Sequence, residues 1–160
     1  MDEINVSIGG EESQRLPKGI SAGEALARLQ KKKGSPAVAA KINGELVDLS
    51  KPLEQDCSIE PLNQNNEEAL EILRHTASHV MAQAVQSLYP EAKITIGPAV
   101  ENGFYYDFDC PETFSVEDIP QIEAKMQEII QQALPVFRRE LDRQEAIRVF
   151  SERDESYKVE

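Results

Sequence analysis

The feature that most constrains this chain is the run from Leu70 to Tyr89, closed by Pro90. On a helical wheel of about 100° per residue, Leu73, Ala77, Val80, Met81, Ala84 and Leu88 line up as one apolar stripe. A helix of that length must bury its stripe, and a partner layer has to supply the cover. His75 and His79, the only histidines in the chain, fall on nearly the opposite side, beside Glu68 and Gln86. Side chains four apart project from one helical face. The run therefore predicts a helix that packs with one side and presents a histidine pair with the other. Beyond Pro90, a strand at Lys93–Ile96, a turn at Gly97-Pro98, a tight turn at Asn102-Gly103 and alternation over Phe104–Asp109 predict a short β-meander.

The residues ahead of this run predict a small mixed fold. Ile4, Val6 and Ile8 alternate with polar residues, as in a half-buried strand, and Gly9-Gly10 turns the chain towards a hairpin partner near Glu12–Leu16. Ser21 and Glu24 have the spacing of a capping box, which opens a helix through Ala25, Leu26 and Leu29. Lys31, Lys32 and Lys33 fall in its last turn, where cations oppose the negative end of the helix dipole. Ala37–Ile42, the Asn43-Gly44 hairpin turn, Glu45–Leu49 and Cys57–Leu62 supply the remaining strands. The order ββ-α-ββ-β in about 60 residues suits a β-grasp, ubiquitin-like fold, a mixed sheet curled over one helix. No catalytic constellation occurs here, so residues 1–62 read as a binding or docking module.

Asn63-Gln64-Asn65-Asn66 marks the boundary and caps the long helix. Past the meander, Ser115 and Asp118 resemble a second capping box, and Ile119, Ile122, Met126, Ile129 and Ala133 recur at helical spacing. Pro135 ends that helix. The alternation from Val136 to Leu141 predicts a strand, Asp142 and Glu145 cap another short helix, and Tyr157 and Val159 look like the beginning of a further strand. Residues 63–160 thus predict a second, α+β domain that stops short of completion.

Composition excludes several classes. No run is apolar and long enough to span a bilayer, and the acidic start MDEINVSIGG lacks the apolar core of a secretory signal. Two cysteines, Cys57 and Cys110, do not make a disulfide scaffold, so a reducing cytoplasm is the simplest setting. The net charge of −12 falls mostly after residue 62 and argues against indiscriminate nucleic-acid binding. Local basic patches remain as RNA-binding candidates: Lys31–Lys33, and the group of Arg138, Arg139, Arg143 and Arg148. Their plainer reading is a solvated face or a helix end.

H-x-x-x-H on a helix allows three readings. Two imidazoles can share a metal ion, share a proton-transfer task, or simply face solvent. The metalloprotease signature is absent, since Thr76 rather than glutamate follows His75, and a complete zinc site needs at least one further ligand. The small run Thr76-Ala77-Ser78 between the histidines admits close approach by another element or a ligand.

The stretch LRHTASHVMAQAVQSLYPEAKITIGPAVENGFYYDFD resembles the start of the editing domain of bacterial threonyl-tRNA synthetases. INGELVDLSKPLEQDCSIEPL is similar to the end of their N-terminal TGS domain, a β-grasp module, and ESYKV also resembles the family. The resemblance implies a TGS domain over residues 1–62 and the first part of the tRNA editing domain over residues 63–160. It implies a parent enzyme that charges tRNA(Thr) with threonine using ATP and clears mischarged seryl-tRNA(Thr) by ester hydrolysis. A site that must reject a substrate merely lacking a methyl gains little from binding alone, so a second, hydrolytic sieve is the chemical solution.

The resemblance assigns His75 and His79 to the editing pocket, where they hold the 3′-terminal adenosine and position water. Lys158 matches a pocket lysine, and Tyr106 matches a tyrosine that lines it. The aspartate and the Cys-x-x-x-His that complete the family's pocket have no counterpart here: Pro61 lies four after Cys57, and Phe114 four after Cys110. The chain alone is expected to be inactive and to hold no metal or other cofactor. ATP with Mg and a zinc ion would belong to the catalytic domain of a full enzyme. Expected partners are tRNA(Thr) and the remainder of the synthetase, with a homodimer only at full length and no membrane. The alternative is a stand-alone, TGS-containing adaptor that binds RNA or nucleotides without catalysis.

Overall fold

The computed structural model describes residues 2–30, 36–111, 113–137 and 139–159. It divides into two compact units, Met1–Leu73 and Arg74–Glu160.

In the first unit, β1 (Glu3–Ile8) and β2 (Gln14–Pro17) form an antiparallel hairpin that pairs Ile4 with Leu16. The helix α1 (Ala22–Leu29) follows. Ser21 Oγ accepts the Glu24 N–H at 3.3 Å, and the Glu24 carboxylate accepts the Ser21 N–H in return, so the expected capping box is present. β3 (Ala37–Ile42) and β4 (Glu45–Val47) join through Asn43 and Gly44, at φ 51° and 87°. Left-handed geometry at both central residues is what a two-residue type I′ turn demands. β5 (Cys57–Asn63) then inserts between β1 and β3, parallel to the first and antiparallel to the second. The sheet order is β2-β1-β5-β3-β4.

Ala22, Ala25, Leu26 and Leu29 of α1 pack with Ile4, Val6, Leu16, Ala40, Leu53 and Ile59 as one core. This is the mixed sheet over a single helix that the element order predicts. Lys31, Lys32 and Lys33 lie outside the described residues.

The helix α2 runs from Glu67 to Leu88. Its first turns belong to the first unit, where Ala69 packs with Ala39 and Leu62. From Leu73 onwards its packing differs from the predicted stripe. The sealed positions are Ser78, Ala82, Ala84 and Val85, while Ala77, Val80, Met81 and Leu88 are half-buried and Leu73 is 39% exposed. The deepest line is rotated roughly 90° towards the histidines. Small side chains at 78 and 82 let neighbouring backbone approach α2 closely, and apolar counting does not register that.

The meander is made of two-residue pieces. β6 (Lys93–Ile94) pairs with β9 (Phe108–Asp109), and β7 (Ala99–Val100) with β8 (Gly103–Phe104). A 3-10 turn over Val116–Asp118 leads into α3 (Ile119–Gln131). Asp118 accepts the Ser115 N–H at 2.7 Å and the Tyr89 hydroxyl at 2.9 Å, which ties the start of α3 to the end of α2. On α3 only Ile129 is buried, and Ile119 is exposed.

The strand expected over Val136–Leu141 is not formed by the described residues. Val136 and Phe137 are 88% and 80% exposed, and no described strand lies alongside to complete a ladder. α4 (Arg143–Glu152) begins at Asp142, whose carboxylate accepts the Glu145 N–H at 2.9 Å. The expected strand at Tyr157 and Val159 is instead a 3-10 turn, Ser156–Lys158. Asp154, at φ 56°, reverses the chain, and the Glu155 and Lys158 N–H groups bond back to Phe150 and Glu155 carbonyls.

Candidate functional site: a histidine pair with a tyrosine and a lysine

The second unit holds four of the sequence candidates, with His75 and His79 in direct contact and Lys158 within electrostatic reach of His79 and of Tyr106. His75 and His79 stand one helical turn apart on α2, with Nε2 atoms 2.7 Å apart and ring centroids 4.7 Å apart. At that separation one ring supplies an Nε2–H and the other accepts it, with the roles set by the tautomers. Burial depresses the His79 pKa below its ordinary 6.5, and the charges of His75 and Lys158 push it the same way. Near neutral pH His79 is therefore an uncharged imidazole, able to accept a proton.

Tyr106 follows β8 and stacks on Phe108, with ring centroids 5.0 Å apart. The Cδ2 side of its ring lies against Gly97, so that a Cβ at position 97 would collide with it. Burial pushes the Tyr106 phenol above its ordinary 10.0. The positive charge of Lys158 opposes that rise, and the negative charge of Glu155 adds to it. Lys158 comes from the 3-10 turn after α4. Its ammonium is 2.8 Å from Glu155 Oε2 and 5.6 Å from the centre of the Phe150 ring.

Ser78 holds the wall together. It is fully buried, and its hydroxyl lies 2.7 Å from the His75 carbonyl and 3.1 Å from the Gly97 carbonyl. The small run between the histidines thus receives the meander backbone, the close approach that its residue types suggest. The C-terminal turn is tied to the same meander, since the Tyr157 hydroxyl donates to Asp109 Oδ2 at 2.8 Å.

The arrangement offers the His79 imidazole, held beside His75, as proton acceptor, an ammonium for phosphate or oxyanion charge, and a phenol as hydrogen-bond donor. Among the described residues, no group of three or more His, Cys, Asp or Glu side chains comes together to hold a metal ion. Cys57 and Cys110 are both free thiols. Of the basic candidates, Arg139 is exposed in the segment before α4, while Arg138 lies outside the described residues, as do Lys31–Lys33. Three positions that shape the site, Ser78, Gly97 and Glu155, carry no chemical motif of their own. Only the small-residue run, the turn at 97-98 and the ESYK string mark them in the sequence.

Comparison with known proteins finds a domain profile over the first part and relatives over nearly the whole chain. The family profile described as TGS domain matches residues 6–60. Threonine–tRNA ligase of Symbiobacterium thermophilum is 47% identical over 156 residues, covering 98% of this chain and 24% of its own length. The ligase of Geobacter sp. strain M21 is 46% identical over 160 residues, covering 100% of this chain and 25% of its own. That of Acetivibrio thermocellus is 44% identical over 157 residues, covering 98% and 25%. The chain spans about a quarter of the length of the curated relatives it matches. No described helix is long and apolar enough to cross a membrane. With its TGS domain and matches that run almost end to end, the chain corresponds to the N-terminal region of bacterial threonine–tRNA ligases.

Proposed function

We propose that this chain serves as the N-terminal part of a cytoplasmic threonine–tRNA ligase that uses ATP to charge tRNA(Thr). Residues 1–62 act as its TGS domain, and residues 63–160 form the first part of its tRNA editing domain. In this reading the region helps bind the tRNA acceptor end and supplies half of the hydrolytic site that clears seryl-tRNA(Thr). The observation that carries it is the His75–His79 contact, with the Lys158 charge acting on both His79 and Tyr106 in the same unit. The relatives match well beyond residue 60, which favours the ligase over a free-standing TGS adaptor.

The parts follow from their chemistry. The histidine pair binds the terminal ribose hydroxyls and orders the attacking water, because imidazole nitrogens can both donate and accept. The Lys158 ammonium opposes charge on the tRNA end or on the tetrahedral intermediate. Lys31–Lys33, Arg138 and Arg139 are proposed acceptor-stem contacts, and tRNA(Thr) with the rest of the synthetase are the proposed partners. Homodimerisation, the ATP–Mg site and a zinc ion belong to the remainder of such an enzyme.

The test is a chimera in which this chain replaces the N-terminal quarter of a threonine–tRNA ligase relative. Release of serine from seryl-tRNA(Thr) should be retained, and lost in the chimera carrying both His75→Ala and His79→Ala. Aminoacylation with threonine should survive the double change. Undiminished serine release would overturn the assignment.

A further inference from the structure

We infer that Glu155 is a positioning residue whose carboxylate holds the Lys158 ammonium at the histidine–tyrosine pocket. The inference builds on the proofreading reading for what the lysine does there. The geometry that supports it is independent of that reading. Glu155 Oε2 is sealed from solvent and has no partner at hydrogen-bonding angles among the described residues. The charge that answers it is the Lys158 ammonium, 2.8 Å away as an ion pair. A carboxylate oxygen withdrawn from water needs such a counter-charge, and the need fixes the lysine in turn.

Lysine has four rotatable bonds and by itself scatters its ammonium widely. Here three restraints confine it. The 3-10 turn brings Glu155 and Lys158 to the same side, closed by the Lys158 N–H bond to the Glu155 carbonyl at 3.0 Å. The Phe150 ring lies below the ammonium at 5.6 Å, within cation–π range. The Tyr157–Asp109 hydrogen bond moors the whole turn to β9. The outcome is an ammonium close enough to act on both His79 and Tyr106. Glu155 acts on the Tyr106 phenol through its own charge, whereas its action on His79 runs through Lys158.

A double-mutant cycle on the 160-residue chain tests this, with the NMR titration of the His79 ring as readout. Charged groups acting on that ring are His75 from α2 and Lys158 from the C-terminal turn. Lys158→Met should raise the His79 pKa by roughly half a unit, the effect of removing a nearby like charge. In the Glu155→Gln background the lysine is released, so the same Lys158→Met change should shift His79 by less than half as much. Comparing the two shifts cancels the direct effect of the lost carboxylate. Equal shifts in both backgrounds overturn the inference.

If Glu155→Gln does not fold, Glu155→Asp is measured in its place. It keeps the charge but shortens the reach, and the same reduced shift is expected, with an unchanged shift again overturning the inference. Because no turnover is measured, failure of the proofreading reading would appear only in the chimera and positioning failure only here.

Discussion

The Cδ2 side of the Tyr106 ring rests against Gly97, with no room for a Cβ between ring and backbone. The glycine is therefore required by packing, because its φ is not in the left-handed region. Gly97→Ala should force the ring outwards. We expect the phenol pKa to fall back towards 10.0 as burial is lost, read by NMR or ultraviolet titration of Tyr106. The strain of overpacking should cost about 1–3 kcal/mol in urea unfolding of the second unit. An unmoved Tyr106 titration would contradict the contact.

Ser78 is the polar rivet in the same wall. Its one hydroxyl proton is shared between the His75 and Gly97 carbonyls from a position with no solvent access. Ser78→Ala removes the donor but not the carbonyls, and should destabilise the unit by about 0.5–1.5 kcal/mol. The amides of Thr95 and Asp107, which bond across the meander beside Gly97, should lose hydrogen-exchange protection first, since the rivet is what pins that strand connection to α2.

Legibility in the sequence followed the distance over which each signal acts. The β-grasp half was readable because its signals are local and agree: the Ser21–Glu24 box, the Asn43-Gly44 turn and the alternation of Ile4, Val6 and Ile8 each form as expected. The second half was readable in part. Asp142 and Asp118 act as helix-start residues. The alternation at Val136–Leu141 did not become a strand, because a ladder depends on a partner that the segment's own residues do not encode. The α2 stripe was misjudged by its rotation: Ser78 and Ala82 score as polar or small, yet they are where backbone comes closest. Histidine spacing identified the pair itself. It did not identify Glu155, whose part depends on a reversal at Asp154 in left-handed geometry.

The surface beyond α3 carries its own expectation. Ile130, Leu134, Val136 and Phe137 are all exposed within eight residues of chain. Contiguous apolar exposure on this scale promotes self-association. Val136→Lys with Phe137→Lys should leave the unfolding midpoint within about 0.5 kcal/mol of the parent, as surface changes do. It should also lower light scattering at high protein concentration. A large stability loss would mean that these two side chains are packed.

The two units should respond to acid at different pH. Both histidines lie in the second unit, and the folded state holds His79 below its ordinary 6.5, chiefly through burial. Between the depressed value and 6.5 the unfolded chain binds more protons than the folded one, so stability rises with pH across that interval and is level above it. Lowering the pH from 7.5 to 5.5 should therefore weaken the second unit. The first unit has no histidine. Its shifted carboxylates are Asp48, depressed mainly by the Ser50 hydroxyl, and Asp56, depressed mainly by the Asn5 amide. Each contributes stability that is present above 3.8 and lost as pH falls through its folded value. Residue-resolved urea titrations at pH 7.5, 5.5 and 3.5 read both units in one sample. The expected pattern is a lower midpoint for residues 74–159 already at pH 5.5, with residues 2–73 holding theirs until the most acidic condition. His79→Phe, which keeps a ring but cannot take up a proton, should remove most of the change between pH 7.5 and 5.5. If that change persists in His79→Phe, groups other than the buried imidazole set the acid response of the second unit.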